Sequence, residues 1–327
     1  VRCLVTGGAG YIGSIVAADL LAAGYEVVVA DDLSTGHREA VPAGCEFVLL
    51  DLRDRKTLTE LLNQGFTCVL HFAALSIVGD SMRRPETYFE NNVGGCLSLL
   101  GAMIETGVDK LVFSSSAAVY GEPDTAPIEE AAPRRPTHPY GRTKVMMEEM
   151  MEVLGEARGL RHVSLRYFNA AGATREQGED HRPETHLIPV LLEAAAGTRD
   201  RVEIFGDDYP TPDGTCIRDY VHVVDLARAH VLAVDALERG KAGAFNLGGG
   251  RGFSVREVID AVERITGTRL PVSVAARRPG DPSVLVASSQ RAERVLGWER
   301  RFPNLEDMVR SAWEWKRAHP SGYGDAS

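Results

Sequence analysis

The opening VRCLVTGGAGYIGS sets an apolar run directly against a glycine-rich turn and then a helix-compatible stretch. Gly7, Gly10 and Gly13 fall three apart, and Gly8-x-Gly10-x-x-Gly13 also satisfies GxGxxG. Glycines at this spacing permit a tight turn and close backbone approach to a pyrophosphate. The helix start that follows, through Tyr11 and Ile12, offers free N–H donors at a positive dipole end. Such a loop works only between a strand and a helix of one βαβ unit, so it constrains the fold around it.

The later apolar runs keep the same rhythm. VVVA (27–30), FVLL (47–50), VLHFA (69–73), KLVFSSS (110–116) and HVSLRYFN (162–169) alternate with helical stretches. These runs are continuous, as expected of strands buried on both faces of a parallel sheet. The predicted fold is α/β, a doubly wound, Rossmann-type parallel sheet with a smaller C-terminal α+β domain. The first domain is expected over 1–172 and the second mainly over 173–327. DYVHVVDLARAHVLAV (219–234) reads as strand-turn-helix and AFNLGGG (244–250) as a strand, so return segments to the first sheet are expected near 219–248. Helices are expected near 188–196 and 254–267.

The second strand ends in Asp31-Asp32, 18 residues after Gly13. A carboxylate there binds adenosine ribose hydroxyls and repels a 2′-phosphate, which selects NAD over NADP. With it, Leu33 and Ser34 of the same turn, Asp51-Leu52 after the third strand and Phe72-Ala73-Ala74 after the fourth would form the cofactor wall.

KLVFSSS ends in serines where ligands of such sheets sit, so Ser114 and Ser116 are placed to face a nicotinamide or a substrate hydroxyl. In HPYGRTK, Tyr140 and Lys144 share one helix face. A phenol titrates near about 10, too high for a base at neutral pH. An ammonium and a cationic nicotinamide beside it would both favour the phenolate. The chain has only five lysines, at 56, 110, 144, 241 and 316, which makes the one at 144 suggestive.

The composition narrows the partners. A formal net charge of −10 disfavours nucleic acid and anionic membranes. Cys3, Cys45, Cys68, Cys96 and Cys216 are scattered and never spaced as CxxC, so buried thiols in a reducing cytoplasm are expected rather than disulfides or a metal site. The chain enters an apolar strand at Val1, so neither a signal peptide nor a run that crosses a bilayer is expected.

TGGAGYIGS, HFAALSIVGDS, NNVGG, FSSSAAVYGE, PYGRTK, LRYFNAAGA, IFGDDYPTPDGTCIRDYVHV, NLGGG, RRPGDP and AWEWKRAHPSGY together resemble the extended short-chain dehydrogenase/reductase family, and within it enzymes that epimerise UDP-sugars at C4. The resemblance runs nearly the whole length. It implies that Tyr140 takes the proton of the sugar 4-hydroxyl while the C4 hydride passes to tightly held NAD⁺. The 4-keto sugar then turns over, and hydride returns to its other face, interconverting UDP-glucose and UDP-galactose. By the same resemblance, Ser116 would bond the 4-oxygen, Lys144 would hold the nicotinamide ribose and tune Tyr140, and Asn91, Ser114 and Phe168 would line the cofactor side. Asn169, His186, Leu187, Glu203, Phe205, Arg218, Arg278 and Asp281 match substrate positions. Arg forks suit a diphosphate and a carboxylate suits a ribose.

Three positions depart from the pattern: Ser76 stands where relatives place a lysine, His186 replaces an amide, and Leu285 has intermediate bulk where N-acetylated sugars are accepted or excluded. A 4,6-dehydratase would need an Asp-Glu pair after the catalytic serine, and here Ala117-Ala118 stand there. A UDP-pentose or N-acetylhexosamine epimerase remains open, as does, more distantly, a non-catalytic NAD-binding module. The methionines at 146, 147, 150 and 151 and the leucines near 97–100 are expected in the core. By resemblance, their two helices also form a homodimer contact.

Overall fold

The computed structural model of the protein describes residues 1–278 and 280–324. Pro279 of RRPGDP and residues 325–327 of the expected second domain lie outside the described residues. In chain order the strands are β1 Arg2–Thr6, β2 Glu26–Asp31, β3 Glu46–Leu49, β4 Cys68–His71, β5 Lys110–Ser116, β6 Arg161–Tyr167 and β7 Asn169–Ala171. They continue as β8 Val202–Phe205, β9 Ile217–His222, β10 Gly243–Leu247, β11 Gly252–Ser254, β12 Val272–Ala275 and β13 Val284–Leu285. The helices are α1 Tyr11–Ala22, α2 Arg55–Leu62, α3 Val78–Arg83, α4 Pro85–Tyr88, α5 Gly95–Thr106 and α6 Pro139–Arg158. After them come α7 Leu187–Ala195, α8 Val223–Glu238, α9 Val255–Thr266, α10 Gln290–Leu296 and α11 Leu305–Ala318.

The apolar runs pair into one seven-stranded sheet in the order β10-β6-β5-β4-β1-β2-β3, with every pairing parallel. Strand order reverses between β1 and β4, so the crevice for a ligand opens beyond their carboxyl ends. Both sheet faces are covered except at the edge strand β3, where Leu49, expected to be buried, is 66% exposed because, among the described residues, no strand or helix packs over that end. One face buries Val5, Val29, Leu70 and Phe245 with Ile15 of α1 and Leu226 of α8. The other buries Leu4, Val28, Val69 and Phe113 with Leu58 of α2, Leu99 of α5 and Met147 of α6.

The chain leaves this sheet after β6 and returns to it as β10, which pairs in register with β6 from Gly243↔Val163 to Leu247↔Tyr167. Between and after these strands, β7, β9, β11 and β13 form a small mixed sheet, and β8 pairs with β12. A separate core under them joins Leu191 of α7, Val258 of α9 and Val309 of α11. Helix α9 opens with a full capping box between Ser254 and Glu257, which fixes its start.

Met147 and Met151 are fully buried, whereas Leu97, expected in the core, is 59% exposed. It shares a face of α5 with Ile104, seven residues on, which is 41% exposed. Among the described residues, no helix is long and apolar enough to cross a membrane.

Candidate functional site

The glycine loop is shaped by what it cannot accommodate. Gly7 has φ +72°, and a Cβ on it would stand 2.4 Å from the Ala73 backbone nitrogen. A Cβ on Gly13 would stand 2.3 Å from the Gly7 carbonyl oxygen. These glycines bring the end of β1 against the end of β4, on the two sides of the crevice. Gly10 is different, since a Cβ there would meet only Gly7 O, at 3.3 Å. Its open side is where α1 begins, and that helix start has no side-chain cap and no acidic residue in its first turn. The N–H groups of Tyr11, Ile12 and Gly13 therefore face outward with the positive end of the dipole, an arrangement that fits a pyrophosphate. The Tyr11 hydroxyl donates to the Gly172 carbonyl at 2.5 Å, tying α1 to the strand end across the crevice.

Asp31 is buried and accepts N–H bonds from Ala9 at 3.0 Å and Leu33 at 2.9 Å. Burial pushes its carboxyl up, against those two bonds. The carboxylate expected at a ribose thus also clamps the glycine loop. Leu33, the single non-glycine residue with positive φ (59°) among the described residues, turns the chain there. Asp32 is exposed and accepts from both the N–H and the hydroxyl of Ser34. Asp51 is taken up by Arg53, Leu52 packs into the core, and Phe72 lies on His230 with ring centroids 4.8 Å apart. Ala73 donates its N–H to Thr6 O at 3.1 Å, and Ala74 follows it in the loop beyond β4.

Ser114, Ser115 and Ser116 alternate across β5. Ser115 turns inward and donates to Glu148 at 2.6 Å, while Ser114 and Ser116 face the other way. The Ser116 side chain neighbours the Tyr140 phenol, and it accepts the Ala118 N–H at 3.2 Å. His138 caps α6 by accepting the Gly141 N–H, with Pro139 at the first helical position, so Tyr140 sits in the opening turn. Lys144, one turn on, is buried, donates to Ser114 O at 2.8 Å and lies 5.8 Å from the centre of the Tyr140 ring.

Burial pushes the Tyr140 phenol above its ordinary value, with the neighbouring Ser116 hydroxyl acting to lower it. The Lys144 ammonium, 5.8 Å from the ring centre, donates to a backbone carbonyl. Burial lowers Lys144 itself to about 8, against Cys96 and Glu148.

Supporting residues went unread in the sequence. Glu148, on the turn after Lys144, is held by Arg166 at 2.6 and 2.9 Å and by Arg134 at 3.1 Å. Burial works to raise its carboxyl, but those partners and Ser115 keep it below the usual range. A lone arginine inside the apolar run HVSLRYFN was the available signal, since a buried guanidinium needs a carboxylate. Asn92, next to the expected Asn91, accepts the Leu75 N–H, donates to Leu75 O and reaches Thr143 Oγ1 at 3.2 Å. It locks the loop after β4 to the Tyr140 helix, and Asn91 donates to its Oδ1.

The residues expected at the substrate fall into three groups. Phe168 is buried at the end of β6, and Asn169 donates to the Asp219 carbonyl at 2.8 Å. Arg218 on β9 pairs with Asp281 and stands in register with Leu285 of β13. Asp281 also acts on His138, so this segment adjoins the start of α6. Farther out, Arg278 stacks on Phe205 with Cζ 3.9 Å from the ring centre, while Glu203 of β8 is 3.5 Å from Arg201. His186 stands apart. Its Nδ1 lies 2.8 Å from both Glu179 and Glu184, just before Leu187 opens α7.

A model of the NAD dependent epimerase/dehydratase family matches residues 3–248. The chain belongs to that family. It is 50% identical to a UDP-glucose 4-epimerase of Lacticaseibacillus casei, covering 98% of each chain. It is 52% identical to one of Halalkalibacterium halodurans, over 98% of this chain and 97% of that one. A solved UDP-glucose 4-epimerase from Brucella ovis in complex with NAD superposes with a TM-score of 0.93 at 49% identity, covering 95% of this chain and 97% of that chain. In the family's setting, the crevice between β1 and β4 and the Tyr140–Ser116 pair at its end form one candidate active site.

Proposed function

We propose that this chain interconverts UDP-glucose and UDP-galactose by inverting C4 through a transient 4-keto sugar, with NAD as a resident cofactor. The observation that carries this reading is the convergence at the end of β5 of Ser116, the Tyr140 phenol and Lys144, which is buried one turn after Tyr140 and fixed to Ser114 O. NAD, when bound, supplies a reversible hydride acceptor beside C4. Tyr140 takes and returns the proton of O4, and Ser116 holds that oxygen in line with the phenol. Lys144, fixed to Ser114 O, keeps a positive charge under the nicotinamide side, which favours the phenolate once the cofactor adds its own charge. Ala117 and Ala118 carry no proton, which leaves epimerisation without the acid and base that dehydration needs.

On the substrate side, Arg218 and Arg278 face the diphosphate, with Asn169, Leu187, Glu203, Phe205 and Asp281 around the nucleotide. Residues 1–172 with the return near 219–248 form the NAD unit, and most of 173–327 forms the UDP-sugar unit. Two copies pair through α5 and α6, where Leu97, Ile104 and Val153 leave an apolar face exposed. The cytoplasm is the compartment that suits the unpaired cysteines, of which Cys3, Cys68, Cys96 and Cys216 are buried.

The test is turnover of UDP-galactose by purified protein without added NAD, with products resolved chromatographically. UDP-glucose is the expected product, and a 4-keto-6-deoxy sugar or no turnover overturns the reading. Tyr140→Phe is expected to retain NAD and lose at least about 100-fold in kcat. Near-normal turnover by that variant removes Tyr140 as the base.

A further inference from the structure

The loop between β7 and α7 gathers Glu179, His181, Glu184 and His186, each bringing one ligand atom within 4.8 Å of the others. We propose that these four side chains form a binding site for one divalent transition-metal ion, best suited to Zn²⁺, which staples this loop to the start of α7. The site does not rest on the epimerase reading, although His186 and Leu187 match substrate positions in that reading.

The arrangement is specific in its atoms. Glu179 Oε1 lies 3.1 Å from His181 Nδ1 and 2.8 Å from His186 Nδ1. Glu184 Oε1 lies 2.8 Å from the same His186 nitrogen. Both imidazoles thus turn Nδ1 inward, onto carboxylate oxygens that themselves converge. The Glu179 and Glu184 side chains are only 9% and 4% exposed, whereas His181 and His186 are 25% and 46% exposed. Two shielded carboxylates side by side repel each other and need positive charge between them. A divalent cation held by the two imidazoles, in place of the protons that they share with these carboxylates, supplies that charge in one body.

Orientation is built in as well. Glu184 Oε1 accepts the backbone N–H groups of Thr185 at 2.6 Å and His186 at 2.7 Å, which fix the direction in which this carboxylate points. Arg182, within the same stretch, extends towards Asp180 at 3.6 Å and the Ser321 carbonyl at 3.1 Å. Access exists through a small concavity of about 30 Å³ lined by Glu179, His181, Glu184 and Trp315. Two nitrogens and two carboxylate oxygens make the four-donor set typical of Zn²⁺, whereas Ca²⁺ and Mg²⁺ take oxygen alone.

The experiment uses the full chain without a polyhistidine tag, treated with chelator and then titrated with Zn²⁺ by calorimetry and with Co²⁺ by visible absorption. One saturable equivalent is expected, with the strong visible band of four-coordinate Co²⁺. His181→Ala and Glu179→Gln are each expected to weaken binding at least ~10-fold while keeping a native circular-dichroism spectrum. Independently of any variant, Zn²⁺ should protect His181 and His186 from diethyl pyrocarbonate, read by mass spectrometry. No saturable binding, affinity unchanged in both variants, or unprotected histidines overturns the proposal and leaves an ion-paired cluster without a metal.

Discussion

At the head of α1, the groups assigned to NAD are backbone N–H donors, set by glycines that leave no room for a Cβ. Across the site, the groups assigned to the UDP-sugar are long side chains already paired with one another: Arg218 with Asp281, and Arg278 over Phe205. The first arrangement meets its ligand without rearranging. The second exchanges one set of partners for another when a diphosphate arrives, and its protein–protein contacts offset part of the binding free energy. A resident cofactor, as proposed, and a substrate that must come and go are served by that division.

The cofactor side should break most sharply. Gly7→Ala places a Cβ within 2.4 Å of the Ala73 backbone at a positive φ, so neither strand end can give way. A loss of roughly 3 kcal/mol in urea unfolding is expected, together with loss of co-purifying NAD. A variant with normal stability and NAD content would show that the backbone does not set this side.

An intermediate effect is expected on the sugar side. Arg278→Lys keeps the charge but loses the planar stack on Phe205, so KM for UDP-galactose should rise about tenfold with kcat nearly unchanged. A fall in kcat alone would move Arg278 from substrate binding to positioning of the chemistry.

The smallest effect separates titrating from non-titrating groups. Lys144 is charged below about 8 and loses its proton as pH rises through that value, whereas the N–H donors of α1 do not titrate. NAD affinity of the stripped protein, followed by fluorescence, should fall about threefold from pH 7 to pH 9. In Lys144→Met it should be lower at pH 7 and flat with pH. An equal decline in that variant would assign the titration elsewhere.

The same contrast explains what could be read in the sequence. The sheet was legible because its strands are unbroken apolar runs, and the glycine loop because only glycine satisfies its close approaches. Tyr140, Lys144, Ser114 and Ser116 were legible as chemistry, but the direction of the Lys144 ammonium was not. It depends on a carbonyl 30 residues away on another element. Glu148 with Arg166, and Asn92 with Leu75 and Thr143, were missed for the same reason. His186 shows the converse, since the alignment of motifs placed it at the sugar while nearby carboxylates hold its ring.

The return of β10 to the main sheet has a consequence for how this chain is made. On a ribosome, β6 emerges some 75 residues before the strand that covers it, by the interval from Tyr167 to Gly243. Through that interval the nascent sheet carries an open edge, able to pair with any passing strand. Synthesis of the sugar-side segment is therefore also a waiting period, and a pause or truncation within it would yield an aggregating species rather than a smaller working domain.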